Sequence, residues 1–169
     1  MTSNFFIFFL FYFLILISII GYGTLISVIL NFNHKHNLGF LGINGIFFLT
    51  FYSYLSNLFI AHSSTHNLVI VIVGIAIFFY FLKNKTLKSK KDLILSSIVF
   101  VIIFISLLIY KNHDDFPYYH FPYTYYLTQE SFSFGVGQFV HAFRTPSSIF
   151  YLNSLFFLFI AEYFLFNFS

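Results

Sequence analysis

The sequence predicts an all-α integral membrane protein of about five transmembrane helices, with a long outer loop after the fourth that carries two short interfacial helices. Three observations predict it. The 169 residues are 59% hydrophobic and 8% charged, with a mean hydropathy of +0.88, whereas a soluble domain carries roughly 25% charged residues. Apolar stretches recur at about 5–30, 40–60, 68–82, 93–110 and 147–166, near the length needed to cross a ~30 Å hydrocarbon core at ~1.5 Å per helical residue. Five lysines gather in the short run 83–91, which reads as a cytoplasmic anchor beside apolar spans. The net charge of +3 is therefore no nucleic-acid footprint. The whole chain, 1–169, reads as one transmembrane domain.

The first span, 5–30, follows a start without Lys or Arg and runs on through Gly21 and Gly23 with no small-x-small cleavage site. It reads as a retained helix and not a cleaved signal. The second span, 40–60, has Gly39, Gly42 and Gly45 at helical spacing. They make a small face that could let a neighbouring helix approach, although glycine is also simply tolerated in membrane helices. The uncharged turn 61–67 leads to the third span, 68–82, which is near the minimum length and is expected to extend into its flanks. The fourth span, 93–110, follows the lysine run. The fifth, 147–166, holds Glu162.

Orientation follows from the cations. With the 83–91 loop in the cytoplasm, the 31–37 loop lies on the same side, and six of the eight Lys and Arg residues are inside, as the positive-inside rule requires. The N-terminus is then outside, the C-terminus cytoplasmic, and the 111–146 loop outside the cytoplasmic membrane. Cysteine is absent and Phe and Tyr number 30 and 13. Thiolate chemistry is closed, and the phenylalanines read as lipid-facing bulk.

The outer loop holds three of the five acidic residues and all three prolines. Asp114 and Asp115 are expected at the membrane surface. Carboxylates there can take a proton from a substrate hydroxyl or hold a divalent cation; they also suit a plain polar helix end. Pro122 fits the first turn of a helix over 122–131, with Tyr123, Tyr126 and Leu127 on one face and Thr124, Thr128 and Glu130 elsewhere. Tyrosine at this density suits the membrane–water boundary. Gly135 and Gly137 mark a turn before a second short helix over 138–143. Thr145 is the expected N-cap and Pro146 the first residue of the fifth span. Arg144, Ser147 and Ser148 around that helix start form a cradle for phosphate at headgroup level, or an ordinary capped helix whose Arg meets lipid phosphate. His62, His66, His113, His120 and His141 share one side, but no HExxH motif is present, and no metal site is assigned to them.

The pattern Asp115, Tyr119-His120-Phe121-Pro122, Tyr126-Leu127, Gly135-Val136-Gly137, His141, Arg144, Ser147-Ser148-Ile149-Phe150 and Asn153-Ser154 resembles a family of bacterial multi-pass membrane proteins related to GT-C glycosyltransferases. The resemblance covers the outer loop and the start of the fifth span. It implies sugar transfer from a polyprenyl-phosphate donor on the outer face. Asp115 is then the general base, with Asp114 beside it. Tyr119, His120, His141, Arg144, Ser147 and Ser148 bind substrate. No organic cofactor is implied; a divalent metal would have Asp114 and Asp115 as its ligands. Members of that family have many more helices, so the sequence reads as an N-terminal piece of such a fold, its missing walls supplied by other membrane helices. The competing reading is a small non-enzymatic membrane protein, an accessory subunit that binds lipid or partner helices. Glu162 suits it, since a carboxyl within a span asks for a polar neighbour.

Overall fold

The computed structural model describes residues 2–31, 37–83, 90–108, 115–144, 147–162 and 165–166. Asp114, His113, Thr145, Pro146 and most of the lysine loop lie outside the described residues. The chain is all-helical. Four long helices come first: α1 (Thr2–Ile29), α2 (Leu38–Asn57), α3 (Ser64–Lys83) and α4 (Lys90–Leu108). A π-helical turn, Phe116–His120, runs into α5 (Phe121–Gln129); α6 (Val136–Phe139), a 3-10 turn at His141–Phe143 and α7 (Ser148–Ser154) follow. They divide into two compact units, Met1–Leu49 with Val69–Ile109, and Thr50–Leu68 with Tyr110–Ser169.

Three helices are long and apolar enough to cross a membrane, at Phe5–Ile29, Leu38–Asn57 and Ser64–Lys83; α4 has a shorter apolar run, Ser97–Ser106, among the described residues. Protein covers only 39%, 28% and 17% of the most apolar stretches of the first three. A soluble fold cannot leave so much apolar helix surface in water, so lipid is the solvent that fits. As expected from its short core, the third helix begins earlier than residue 68, at Ser64.

In the first unit, backbone meets backbone. A Cβ on Gly23 would overlap the Leu41 carbonyl, one on Gly45 the Ile19 carbonyl, and one on Gly21 the Gly74 carbonyl. Without a hydrophobic driving force in lipid, such close approach is what holds helices together. Of the expected glycine face, only Gly45 serves it. Among the described residues a Cβ on Gly42 would meet nothing within 4 Å, and one on Gly39 only the Asn37 side chain at 3.4 Å. The contact face is set by where α1 lies and so uses one glycine of the three. Polar groups bridge the same helices: Asn44 donates to Ser27 Oγ at 3.1 Å and the Tyr22 hydroxyl to the Ile70 carbonyl at 2.8 Å. Phe104 is buried against Phe9 and Tyr12, with ring centroids 4.9 and 5.1 Å apart.

The expected fifth span differs. Among the described residues of 147–166 the chain is α-helical only in α7, seven residues long; it then turns, and Leu158 and Glu162 form an isolated antiparallel bridge. The reason lies in Asn67, which is fully buried. Its side-chain amide donates to the carbonyls of Ser154 and Phe157 at 2.8 and 3.0 Å. The end of α7 is thereby satisfied by a side chain, and the chain is released into turns.

Candidate functional site

The second unit builds its site around α5. Asp115 heads the π-helical turn, its carbonyl accepting from the N–H groups of Tyr119 and His120 at 2.8 and 3.3 Å. Pro117 and Pro122 sit in the first turns of their helices, where a missing N–H costs nothing. Tyr123 and Leu127 are buried, and Tyr126 packs against them. Thr124 and Thr128, expected on a different face, are buried too. The helix is embedded on more than one side, and Thr128 meets the demand by donating to the Tyr125 carbonyl at 2.7 Å.

Aromatic rings then lock α5 to α7. Tyr119, His120 and Tyr123 converge on Phe150, with centroids 5.1, 5.0 and 5.8 Å away. The Tyr123 and Tyr151 hydroxyls lie 3.1 Å apart. Burial, with Tyr151 next, pushes the Tyr123 phenol well above its ordinary range, so it stays protonated. The π-helical turn packs against the 3-10 turn, which brings the segment headed by Asp115 to the segment that ends at Arg144. Arg144 is exposed and its Nε donates to the Gly137 carbonyl at 3.1 Å. It stands on the rim of a cavity of about 370 Å³ lined by Tyr123, Tyr126, Phe132, Phe143 and Gln138 among others.

The expected site residues therefore divide. Tyr119 and His120 are half-buried partners of Phe150, and His141 is exposed in the 3-10 turn. The cap of α7 is Ser147, not Thr145: its Oγ accepts from the Ile149 N–H at 3.4 Å, and Ser148 is the first helical residue, exposed. The helix starts two residues later than its proline suggests. Asp115 is exposed and is not among the residues lining the Arg144 cavity.

Sequence reasoning missed a buried polar core beneath this layer. His62 and Ser154 are both 0% exposed. Ser154 Oγ donates to the Tyr151 carbonyl at 2.8 Å, so it must accept from His62 Nδ1 at 2.6 Å. His62 Nε2 lies 2.9 Å from Ser56 Oγ, whose hydroxyl also donates to the Ser53 carbonyl at 3.3 Å. His66 stacks on His62 at 5.4 Å and meets the Tyr52 hydroxyl and Asn67 Oδ1 at 2.9 and 3.0 Å. Asn57 donates to the carbonyls of Leu127 and Glu130 at 3.2 and 3.4 Å. Both histidines are spent on this network. Among the described residues no group of three or more His, Cys, Asp or Glu could hold a metal. The available signal was an Asn, His or Ser inside otherwise apolar sequence, each of which must find a partner.

Burial, and then the neighbouring His66, lower His62 to a pKa of about 3. The sign follows. The unfolded chain takes up its imidazole proton near pH 6.5 and the folded one near 3, so His62 contributes fully above 6.5 and less as pH falls between them. Thermal melts in detergent are expected to lose up to about 1.4 kcal/mol per pH unit across that window from this group. His62→Gln is expected to flatten the slope; an unchanged slope would assign it to other groups.

An all-helical fold with three apolar helices of spanning length defines a membrane protein. No family model, no curated protein and no solved structure matches the chain.

Proposed function

We propose that the chain is a GT-C-like glycosyltransferase protein of the cytoplasmic membrane, moving a sugar from a polyprenyl-phosphate donor on the non-cytoplasmic side. The observation that carries this reading is the packing of the Asp115 turn against the turn that ends at Arg144. A carboxylate and a guanidinium thus belong to one compact unit. In this reading Asp115 takes the proton of the acceptor hydroxyl as its oxygen bonds to the anomeric carbon. The bond from that carbon to the lipid phosphate breaks, and the phosphate leaves with the electron pair. Arg144 stabilises the charge it gains. Tyr119, His120, His141 and the Ser148 hydroxyl supply orienting hydrogen bonds, while Ser147 sets the start of α7. Asp114 and Asp115 have the hard oxygens a divalent cation takes.

Membranes holding the complete complex test this. Asp115→Asn is expected to lower transfer from a polyprenyl-phosphate donor by about 10²–10⁴-fold, the usual contribution of a general base. Equal turnover in parent and variant would remove Asp115 from that role. One observation favours a second reading, that of an accessory subunit: Glu162 is exposed beside Phe159 and Ile160, themselves 61% and 62% exposed. A carboxyl among apolar side chains asks for a neighbouring helix. Loss of a co-purified membrane partner in Glu162→Leu, with no transfer from either chain, supports that reading instead.

A further inference from the structure

Residues 132–140 carry side chains that make no sense in water. Phe134 and Phe139 are 91% and 89% exposed, and Val140 is exposed as well. Gly135, at φ 83, turns the chain sharply between them. From residue 131 to residue 161 the sequence holds no Asp or Glu, and Arg144 is its one Lys or Arg.

The position of this segment is fixed by α2. That helix has 20 residues, which at ~1.5 Å each match a hydrocarbon core of ~30 Å. Asn57, its last residue, therefore lies at the boundary between acyl chains and headgroups. The Phe132 N–H donates to the Asn57 carbonyl at 2.8 Å, and the Asn57 side chain donates to the Glu130 carbonyl. The 132–134 segment is thus tied to the boundary end of a spanning helix. Directly beyond that end, Leu58, Phe59 and Ile60 are exposed, Phe59 to 80%. Two separate stretches of chain gather bare apolar side chains at one level.

We propose that residues 132–140 are a lipid-inserted hairpin. Phe134 and Phe139 enter the upper acyl chains of the leaflet at that end, and Arg144 meets lipid phosphate at the headgroup level above them. Lipid is the occupant that the charge pattern fits: phenylalanine for the acyl region, an arginine and no carboxylate for the phosphates. This deepens the glycosyltransferase reading, because it gives a lipid-borne phosphate a lateral route to the Arg144 cavity, but its test does not need turnover.

The natural absence of cysteine makes the test direct. The full chain is reconstituted in lipid nanodiscs with single Phe134→Cys, Phe139→Cys or Val140→Cys substitutions, each labelled with bimane. Lipids with a nitroxide high on the acyl chain are expected to quench all three labels at least about twofold more than lipids with a nitroxide at the chain terminus. Aqueous iodide is expected to quench them weakly. Strong iodide quenching without nitroxide quenching would overturn the proposal in favour of a water-exposed loop. Protection from both would overturn it in favour of a covering protein, either a second copy or a partner. Transfer that depends on Asp115 with labels open to iodide would sink the hairpin alone. Lipid quenching with no Asp115-dependent transfer would sink the enzymatic reading alone.

Discussion

Gly23→Ala and Gly45→Ala are each expected to destabilise the chain by about 2–3 kcal/mol or to block its folding, the cost of overpacking a close contact. Alanine normally favours a helix over glycine by about 1 kcal/mol, so helix propensity alone predicts the opposite sign. The contact decides. A Cβ at Gly23 would occupy the place of the Leu41 carbonyl, and one at Gly45 that of the Ile19 carbonyl. These are backbone atoms, which cannot swing aside as a side-chain end can. Gly42→Ala is the control: its Cβ would meet nothing within 4 Å among the described residues, and it is expected to be neutral or slightly stabilising. Melting of purified protein in detergent reads all three. A loss in Gly42→Ala as large as in Gly23→Ala would show that something other than the backbone contact controls the result.

That contrast shows where sequence reading stops. Helical glycine spacing in α2 is visible in the letters, but which of Gly39, Gly42 and Gly45 touches a neighbour depends on the placement of α1. The spanning helices are legible because lipid solvates their outward surface and so demands a long apolar run. The segment after Ser154 is just as apolar, yet its described residues form turns. There residues such as Leu155, Leu158 and Leu165 are buried within protein, and a buried apolar run has no obligatory conformation. The polar core was the least legible part. His62 and Ser154 are 92 positions apart, and only the fold brings their side chains together. In the aromatic loop Pro122 marks the first turn of α5, but in place of the expected second helix over 138–143 the chain forms α6, with Gly137 inside it, an extended Val140 and the 3-10 turn at His141–Phe143.

The largest expected effect in the second unit comes from Asn67→Leu, of nearly the same size. Asn67 Nδ2 donates to the carbonyls of His62, Ser154 and Phe157 at 2.7, 2.8 and 3.0 Å. Its Oδ1 faces His66 Nδ1. Leucine fills the space but donates to none of these carbonyls; that of Ser154 keeps the Phe157 N–H at 3.3 Å, while those of His62 and Phe157 lose their Asn67 donor. A buried carbonyl left without a donor costs about 1–3 kcal/mol, so the expected loss is about 2–3 kcal/mol. Leucine is also expected to free the end of α7, which raises amide exchange over 155–158 more than elsewhere. Asn67→Asp keeps an oxygen for His66 but turns a carboxylate toward carbonyls, and is expected to be at least as damaging. Unchanged melting in Asn67→Leu would mean that water or another donor reaches those carbonyls.

The reading of function rests on where Asp115 and Arg144 stand relative to the bilayer. Single cysteines at Gln129 and Ser63, both in the second unit, and at Lys88 in the lysine loop, report it in intact cells through a membrane-impermeant maleimide. Labelling of positions 129 and 63 from outside, with position 88 reached only after permeabilisation, is the expected result. Labelling of 129 only after permeabilisation would place Asp115 and Arg144 in the cytoplasm, and would contradict a site that takes its sugar from a lipid on the outer face.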